Sequence, residues 1–151
     1  MIRYALEKDV PELVKLRLAE QKELHPEADE SPDKVKAIEN WICQSVGNVN
    51  TIILVSETDG KIGATCTFVV EHNIPGLVDN GSYAYMCNVY TVPEQRKQGI
   101  MGDMIGQGET ELKARNVCAV YFDSVSSAMI SLSQKLGYIH RTSFYSKDLV
   151  D

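Results

Sequence analysis

Positive charge is in short supply in this chain: 15 Lys and Arg stand against 21 Asp and Glu, a net charge of −6 with a pI near 5.1. A surface that neutralises many phosphates of DNA or RNA needs the opposite balance, so a nucleic-acid partner is disfavoured. Long apolar runs are missing too. The longest aliphatic run, Ile52-Ile53-Leu54-Val55, falls far short of the roughly 20 residues of a membrane-spanning helix. The start, Met1-Ile2-Arg3-Tyr4, lacks the apolar region of a signal peptide. The expectation is therefore a cytoplasmic protein with no membrane partner.

Closely spaced metal ligands are also missing. Cys43, Cys66, Cys87 and Cys118 are too far apart for a CxxC pair, and no two of His25, His72 and His140 share a helix face. No metal is expected, and the cysteines read as buried free thiols that pack like small hydrophobes; a reactive Cys87 is the sharper alternative. Neither GxxxxGK[ST] nor GxGxxG occurs, which excludes the P-loop and the dinucleotide fingerprint. There is no internal repeat and no low-complexity stretch. With 44% apolar residues, the chain is long enough for one ordinary α/β domain spanning residues 1–151, able to bury roughly 68–70% of its unfolded surface.

What is present is an alternation of strand and helix signals. Ile2 to Ala5 reads as a strand. Asp9-Val10-Pro11-Glu12 then reads as a helix start, with Asp9 as cap, Pro11 in the first turn and Glu12 closing a capping box. That helix runs to about Leu24 on an apolar face of Val10, Leu13, Val14, Leu16 and Leu18. Ser31-Pro32-Asp33 opens a second helix, with Val35, Ile38, Ile42 and Val46 at spacings of three and four, stopped at Gly47-Asn48. Thr51–Glu57 and Lys61–Glu71 are β-branched runs joined through Asp59-Gly60, a strong hairpin signal. Tyr83 to Val92 reads as a central strand ended by Pro93. A helix over Gly99–Arg115, a strand over Val117–Asp123, a short helix over Ser127–Leu136 and a last strand from Gly137 complete the order β-α-α-β-β-β-α-β-α-β.

The segment from Asn88 to Gly102 carries the chemistry. A strand ends, a basic turn follows, and a helix begins at glycine. The first N–H groups of a helix have no intrahelical partners and its macrodipole is positive there, so such a turn suits an anion. Arg96 and Lys97 add local positive charge, and Gly99 allows close approach to the backbone. A plain strand-to-helix turn with a solvated basic pair accounts for the same residues equally well.

The run Val-Pro-Glu-Gln-Arg-Lys-Gln-Gly-Ile-Met-Gly at 92–102 resembles the acetyl-CoA signature of the GCN5-related N-acetyltransferase (GNAT) family, [RQ]xxGx[GA]. Arg96 and Gly99 fill its first and fourth positions, and Met101 departs from its last, with Gly102 following. Ser-Gln-Lys-Leu-Gly-Tyr at 133–138 is similar to the family's C-terminal Y-x-K-L-G-F block. The resemblance implies an α/β GNAT-like fold, with a mixed, mostly antiparallel sheet of about six strands and helices on both faces. It implies acetyl-CoA as cosubstrate. Val89, Tyr90 and Thr91 would offer main-chain groups to the acetyl carbonyl and pantetheine arm where a bulge splays the strand from its neighbour. Lys97, Gln98, Gly99, Ile100, Met101 and Gly102 would present N–H groups to the pyrophosphate, with Arg96 beside them and Ser126 touching the pantetheine arm.

The resemblance also places Ser133 where many relatives carry the Tyr that protonates the departing thiolate, a role a shorter, higher-pKa hydroxyl fills less well. Tyr145, Tyr85 and Cys87 are alternative proton handlers by type, and Glu23, His25, Glu71 and His72 candidate bases. Gly106 and Gly108 either soften their helix or let another element, or a second subunit in a homodimer, approach closely. The acceptor implied is a small-molecule or peptide amine, and residues 20–39, with seven acidic and three basic side chains, would attract one. The leading expectation is an N-acetyltransferase working by direct attack. A non-catalytic acyl-CoA-binding module and a ping-pong enzyme using Cys87 are the alternatives.

Overall fold

Alternation along the second strand sets the architecture. In a computed structural model, which describes residues 1–141, Ile52 and Leu54 belong to one core while Ile53 and Val55 belong to another. Successive strand side chains point to opposite faces, so this run of four aliphatics feeds two layers at once. One layer holds α1 (Val10–Leu24) and α2 (Pro32–Ser45); the other holds α3 (Ile100–Ala114) and α4 (Ser127–Lys135). Leu13, Leu16 and Ile42 close the first core, and Met104, Ile105 and Leu112 the second.

Between the layers lies a sheet of β1 (Ile2–Tyr4), β2 (Thr51–Thr58), β3 (Lys61–His72), β4 (Ser82–Thr91) and β5 (Ala119–Tyr121), in that spatial order. The first four pair antiparallel and β5 joins β4 in parallel. The mixed, mostly antiparallel sheet with helices on both faces is as expected. Five strands are described against about six expected; Gly137 to Arg141 form no strand, and the remainder of the expected last strand, with Tyr145, lies outside the described residues. Asp59 (φ 50°) and Gly60 (φ 75°) make the hairpin turn between β2 and β3, the left-handed pair that matches strand twist.

Two local expectations need correction. Asp9 does not cap α1 with its side chain. It ends a short 3₁₀ turn, accepts the Leu6 N–H at 2.8 Å and pairs with Arg3 at 2.6 Å, because Arg3 on β1 offers a charged partner that the helix amides cannot match. The cysteines are not all buried: Cys66 is, Cys87 is half-buried, and Cys43 and Cys118 are exposed. Cys43 follows buried Ile42 round the outer side of α2, and Cys118 precedes the sheet edge, donating to Asn80 Oδ1 at 2.7 Å.

Gly108 settles one alternative. A Cβ there would lie 2.2 Å from the Phe68 ring, so the close-approaching element is β3 of the same chain; at Gly106 nothing lies within 4 Å. Phe68 is itself fully buried.

Candidate active site

The site begins with one extra residue in β4. Thr67 pairs with Cys87 and Thr65 with Tyr90, so Cys66 faces two residues, Asn88 and Val89. Asn88 absorbs the excess at φ 50°, a left-handed conformation that Asn tolerates better than most residues. Parity along the strand reverses there. Before the bulge Ala84 and Met86 enter the α3 core; after it Val89 packs on that core while Tyr90 belongs to the α1 core.

On its other side β4 loses its neighbour. Pairing with β5 covers only Tyr83, Ala84 and Tyr85, opposite Ala119, Val120 and Tyr121. Among the described residues no strand pairs with the β5-facing edge from Met86 to Thr91, and a ligand can supply the hydrogen bonds a strand would. Val89, Tyr90 and Thr91 lie on this edge.

The edge leads into the turn. A 3₁₀ turn over Pro93–Gln95 is followed by Lys97 (φ 63°) and Gly99 (φ 83°), and α3 starts at Ile100. Asp103 gives the first α-helical bond, to Gly99 O at 3.1 Å, so the amides of Ile100, Met101 and Gly102 precede it and point outward from the helix start. A Cβ on Gly99 would meet nothing within 4 Å. Its requirement is the left-handed φ, and the space beyond it is open for a phosphate. Lys97 and Gln98 are exposed, and Gln98 Nε2 donates to Glu94 O at 3.3 Å.

Arg96 is placed differently from the simple picture of a charge waiting for phosphate. Its Nη2 donates to both Glu23 carboxylate oxygens at 2.7 and 2.9 Å, its Nε donates to Thr91 O at 2.8 Å, and its guanidinium lies 5.4 Å from the Tyr90 ring centre. Tyr90 Oη donates to the same Glu23 at 2.9 Å. Arg96 thus ties the turn to the end of α1, and it holds the Glu23 carboxyl below the usual range.

Both candidate serines use their hydroxyls locally. Ser126 Oγ caps α4 by accepting the Met129 N–H at 3.4 Å. Ser133, 7% exposed, donates to Ile130 O at 2.8 Å. That bond turns its proton back into its own helix and weakens the reading of Ser133 as proton donor.

The α1-facing side of the opened edge carries titratable groups. Tyr85 donates to Asp123 at 2.6 Å and Tyr121 to Glu71 at 2.7 Å, and the two rings lie 5.3 Å apart. Hydrogen bonding to Asp123 pushes the Tyr85 hydroxyl up. Burial pushes the Cys87 thiol up to about 11, with Glu20 and Asp123 adding to it and Arg17 opposing, so it is not a ready thiolate. Of the other proposed bases, His25 is exposed just past α1 and His72 at the end of β3.

Residues that sequence reasoning passed over are Arg17 and Glu20. Arg17 Nη1 donates to Glu20 Oε2 at 2.5 Å, and the Glu20 side chain is only 13% exposed. Burial pushes its carboxyl up, while Arg17 and the Val89 main-chain amide act to lower it. The signal was available: Leu13, Leu16, Arg17 and Glu20 form one stripe at spacings of three and four. A polar pair continuing an apolar stripe places two titratable groups on the inner side of the helix.

A cleft of about 490 Å³ elsewhere, bounded by Tyr4, Val46, Asn50, Val70 and Arg115, includes His72 but none of the other groups. Among the described residues no His, Cys, Asp and Glu cluster is arranged to hold a metal ion, and no helix is long and apolar enough to cross a membrane.

Residues 2–140 match a family model described as an acetyltransferase (GNAT) domain. The fold is similar to that of a predicted acetyltransferase from Clostridium acetobutylicum crystallised with acetyl-CoA (TM-score 0.86, 22% identity, covering 99% of this chain and 96% of that one). It is similar to a GCN5-related N-acetyltransferase from Ralstonia eutropha JMP134 (0.79, 17%, 98% and 97%). It is also similar to the glucosamine-6-phosphate N-acetyltransferase of Arabidopsis thaliana (0.75, 18%, 99% and 98%). No curated protein sequence matches at a significant level.

Proposed function

The chain belongs to the GNAT acetyltransferase family, and from that premise we propose that it transfers an acetyl group from acetyl-CoA to a primary amine by direct attack in a ternary complex. The observation that carries this reading is the open edge of β4. The strand leaves β5 after Tyr85, bulges at Asn88 and runs straight into the glycine turn before α3. An extended thioester arm fits that edge, and a pyrophosphate fits the outward amides at its end.

Acetyl-CoA supplies an acyl group already activated as a thioester. The chain supplies position. Main-chain groups of Val89, Tyr90 and Thr91 hold the arm, and an N–H from this stretch polarises the acetyl carbonyl, where stabilising developing negative charge contributes most. The amides of Lys97, Gln98, Gly99, Ile100, Met101 and Gly102 hold the pyrophosphate, and Ser126 lies beside the arm. Arg96 acts here chiefly by fixing the turn to α1. Holding amine and thioester in attack geometry can supply about 7–11 kcal/mol of the barrier reduction, so a strong acid at position 133 is not required.

The amine class draws support from two sources. Neighbours of this fold include a glucosamine-6-phosphate N-acetyltransferase and an aminoglycoside acetyltransferase in complex with sisomicin. The opened face of this chain carries Glu20, Glu71 and Asp123 with Tyr85 and Tyr121, a lining suited to a cation.

CoA release measured over a panel of amines tests the reading; acceptor-dependent release of thiol is expected. The Ser133 bond to Ile130 O favours one second reading, a module that binds acyl-CoA without turning it over. Tight acetyl-CoA binding without release for any amine would select it.

A further inference from the structure

The loop between β3 and β4, residues 73–81, is divided in its chemistry. Its polar members build its shape: Asn73 N donates to Gly81 O at 2.7 Å, Asp79 Oδ1 accepts the Gly81 N–H at 2.9 Å, and Asn80 Nδ2 donates to Asn116 O at 2.7 Å. Its large apolar members take no part in that. Ile74, Leu77 and Val78 are each at least 94% exposed, although burying any one of them is favourable. Single exposed aliphatics are ordinary on a soluble surface. Three in one loop, held in shape by hydrogen bonds of its own, mark a contact surface.

Beside this projection lies a hollow. β3 ends at His72, and His72 with Val70 lines the cleft of about 490 Å³ bounded by Tyr4, Val46 and Arg115. Its volume is about three times that of the roughly 150 Å³ apolar cavity that takes in a benzene-sized group, so two aliphatic side chains fit. Loop and cleft also differ in charge. Among the described residues no Asp or Glu lines the cleft, whose rim carries Arg115, fixed by bonds from Nη1 to Val49 O at 2.7 Å and from Nε to Glu111 at 2.9 Å. The charged residue of the loop is Asp79, next to Val78. Both features lie where β4 starts, and the length of that strand separates them from the glycine turn after its end.

We propose that two copies of this chain meet at this end, each seating the tip of its 73–81 loop in the other's cleft about a two-fold axis. Leu77 and Val78 fill the apolar floor, and Asp79 of one copy comes beside Arg115 of the other. A second copy is the occupant because one chain carries both halves of the fit: an apolar projection with a carboxylate, and an apolar hollow with a guanidinium. Since the halves adjoin, a single two-fold axis satisfies both contacts and closes the assembly at two. The loop is already shaped, so little has to be ordered on association. A bilayer of anionic lipid is a poorer match for a chain of net charge −6. The glycine turns stay at the far ends of the pair, and the proposal stands apart from the acetyl-transfer reading.

Sedimentation equilibrium of the full chain from about 1 to 200 µM tests it. A monomer–dimer equilibrium is expected. Leu77→Asp should raise its dissociation constant at least about 10²-fold, because a two-fold contact counts each substitution twice. Leu77 is fully exposed in the single chain, so folding should be unchanged. Val49→Asp, at an exposed position lining the cleft, should weaken pairing from the other side. Hydrogen exchange at high and low protein concentration should show protection on pairing at 46–50 and 74–78 together.

A chain that stays monomeric at about 200 µM overturns the proposal, whether residues 142–151 or a different protein covers the loop. A dimer that survives both substitutions overturns it as well, since the copies then meet elsewhere. Growth into larger assemblies, the result of a head-to-tail contact, excludes the two-fold arrangement.

Discussion

Glu23 and Arg96, 73 residues apart in the chain, are joined by two hydrogen bonds of 2.7 and 2.9 Å between the last turn of α1 and the turn that precedes α3. Both side chains are substantially exposed, at 47% and 40%, so the pair is screened and contributes about 0.2–1 kcal/mol. Its importance is positional: it ties the end of α1 to the turn proposed to hold the cofactor.

Glu23→Ala should therefore weaken acetyl-CoA binding by about 2- to 5-fold, the amount such a tie represents. Removing a negative charge near a polyanion would strengthen binding if charge alone mattered, so the direction separates the two explanations. A double-mutant cycle with Arg96→Ala should show coupling that falls as salt is raised.

Gly99→Val should abolish acetyl-CoA binding and cost about 1–3 kcal/mol of stability, because a β-branched residue is strained at positive φ. The residue sits at φ 83° with open space around its missing Cβ, so the side chain strains the turn and fills the space a phosphate would use. Calorimetric titration with unchanged affinity would remove the turn from the cofactor site.

Opposite effects are expected within a single helix. Gly106→Ala meets nothing and should stabilise by roughly 0.5–1 kcal/mol, whereas Gly108→Ala drives a methyl into the Phe68 ring and should destabilise by about 1–3 kcal/mol. Urea denaturation distinguishes the signs.

Asp9 predicts a pH dependence. Its side chain is 6% exposed, and Arg3 together with the Leu6 amide holds its carboxyl below the usual range. A lowered folded-state pKa means the contribution is complete above the unfolded carboxylate range, near 3.9, and is lost as pH falls through the folded value. Arg3→Ala, which leaves that carboxylate buried without its cation, should cost about 3 kcal/mol at neutral pH, and less in acid.

Thiol labelling at mild alkaline pH should modify Cys43 and Cys118 first, Cys87 slowly and Cys66 only on unfolding. The raised Cys87 thiol also predicts no acetylated protein by intact mass after incubation with acetyl-CoA alone.

Local signals carried most of this fold. Asp59-Gly60 marked its hairpin, Gly47 its helix stop, and Gly99 the start of α3, because each needs a left-handed backbone that few residues adopt. The strand-to-helix turn was equally legible. Contacts between distant segments were not. Arg96 stands in the sequence beside Lys97 in a basic turn, and nothing local shows that Glu23 claims its guanidinium. Asp9 fits a helix cap because the cap rule is local, while Arg3 reaches it across a change of direction. Glu20 counts locally as one of seven acidic side chains in residues 20–39, although its spacing from Leu13 and Leu16 sets it on the inner side of α1.

The extra residue in β4 has a consequence for how the gene can change. Upstream of Asn88 the even-numbered side chains Ala84 and Met86 point to one core; downstream Val89 takes that side and Tyr90 the other. Deleting Asn88 would therefore leave both cores in register: Val89 would stay opposite Cys66 and Tyr90 opposite Thr65, on the faces they already occupy. What the extra residue supplies is a local bend and a left-handed backbone position in β4, at φ 50°. Length at this position is thus tied to the shape of the strand edge and not to the packing of the two layers.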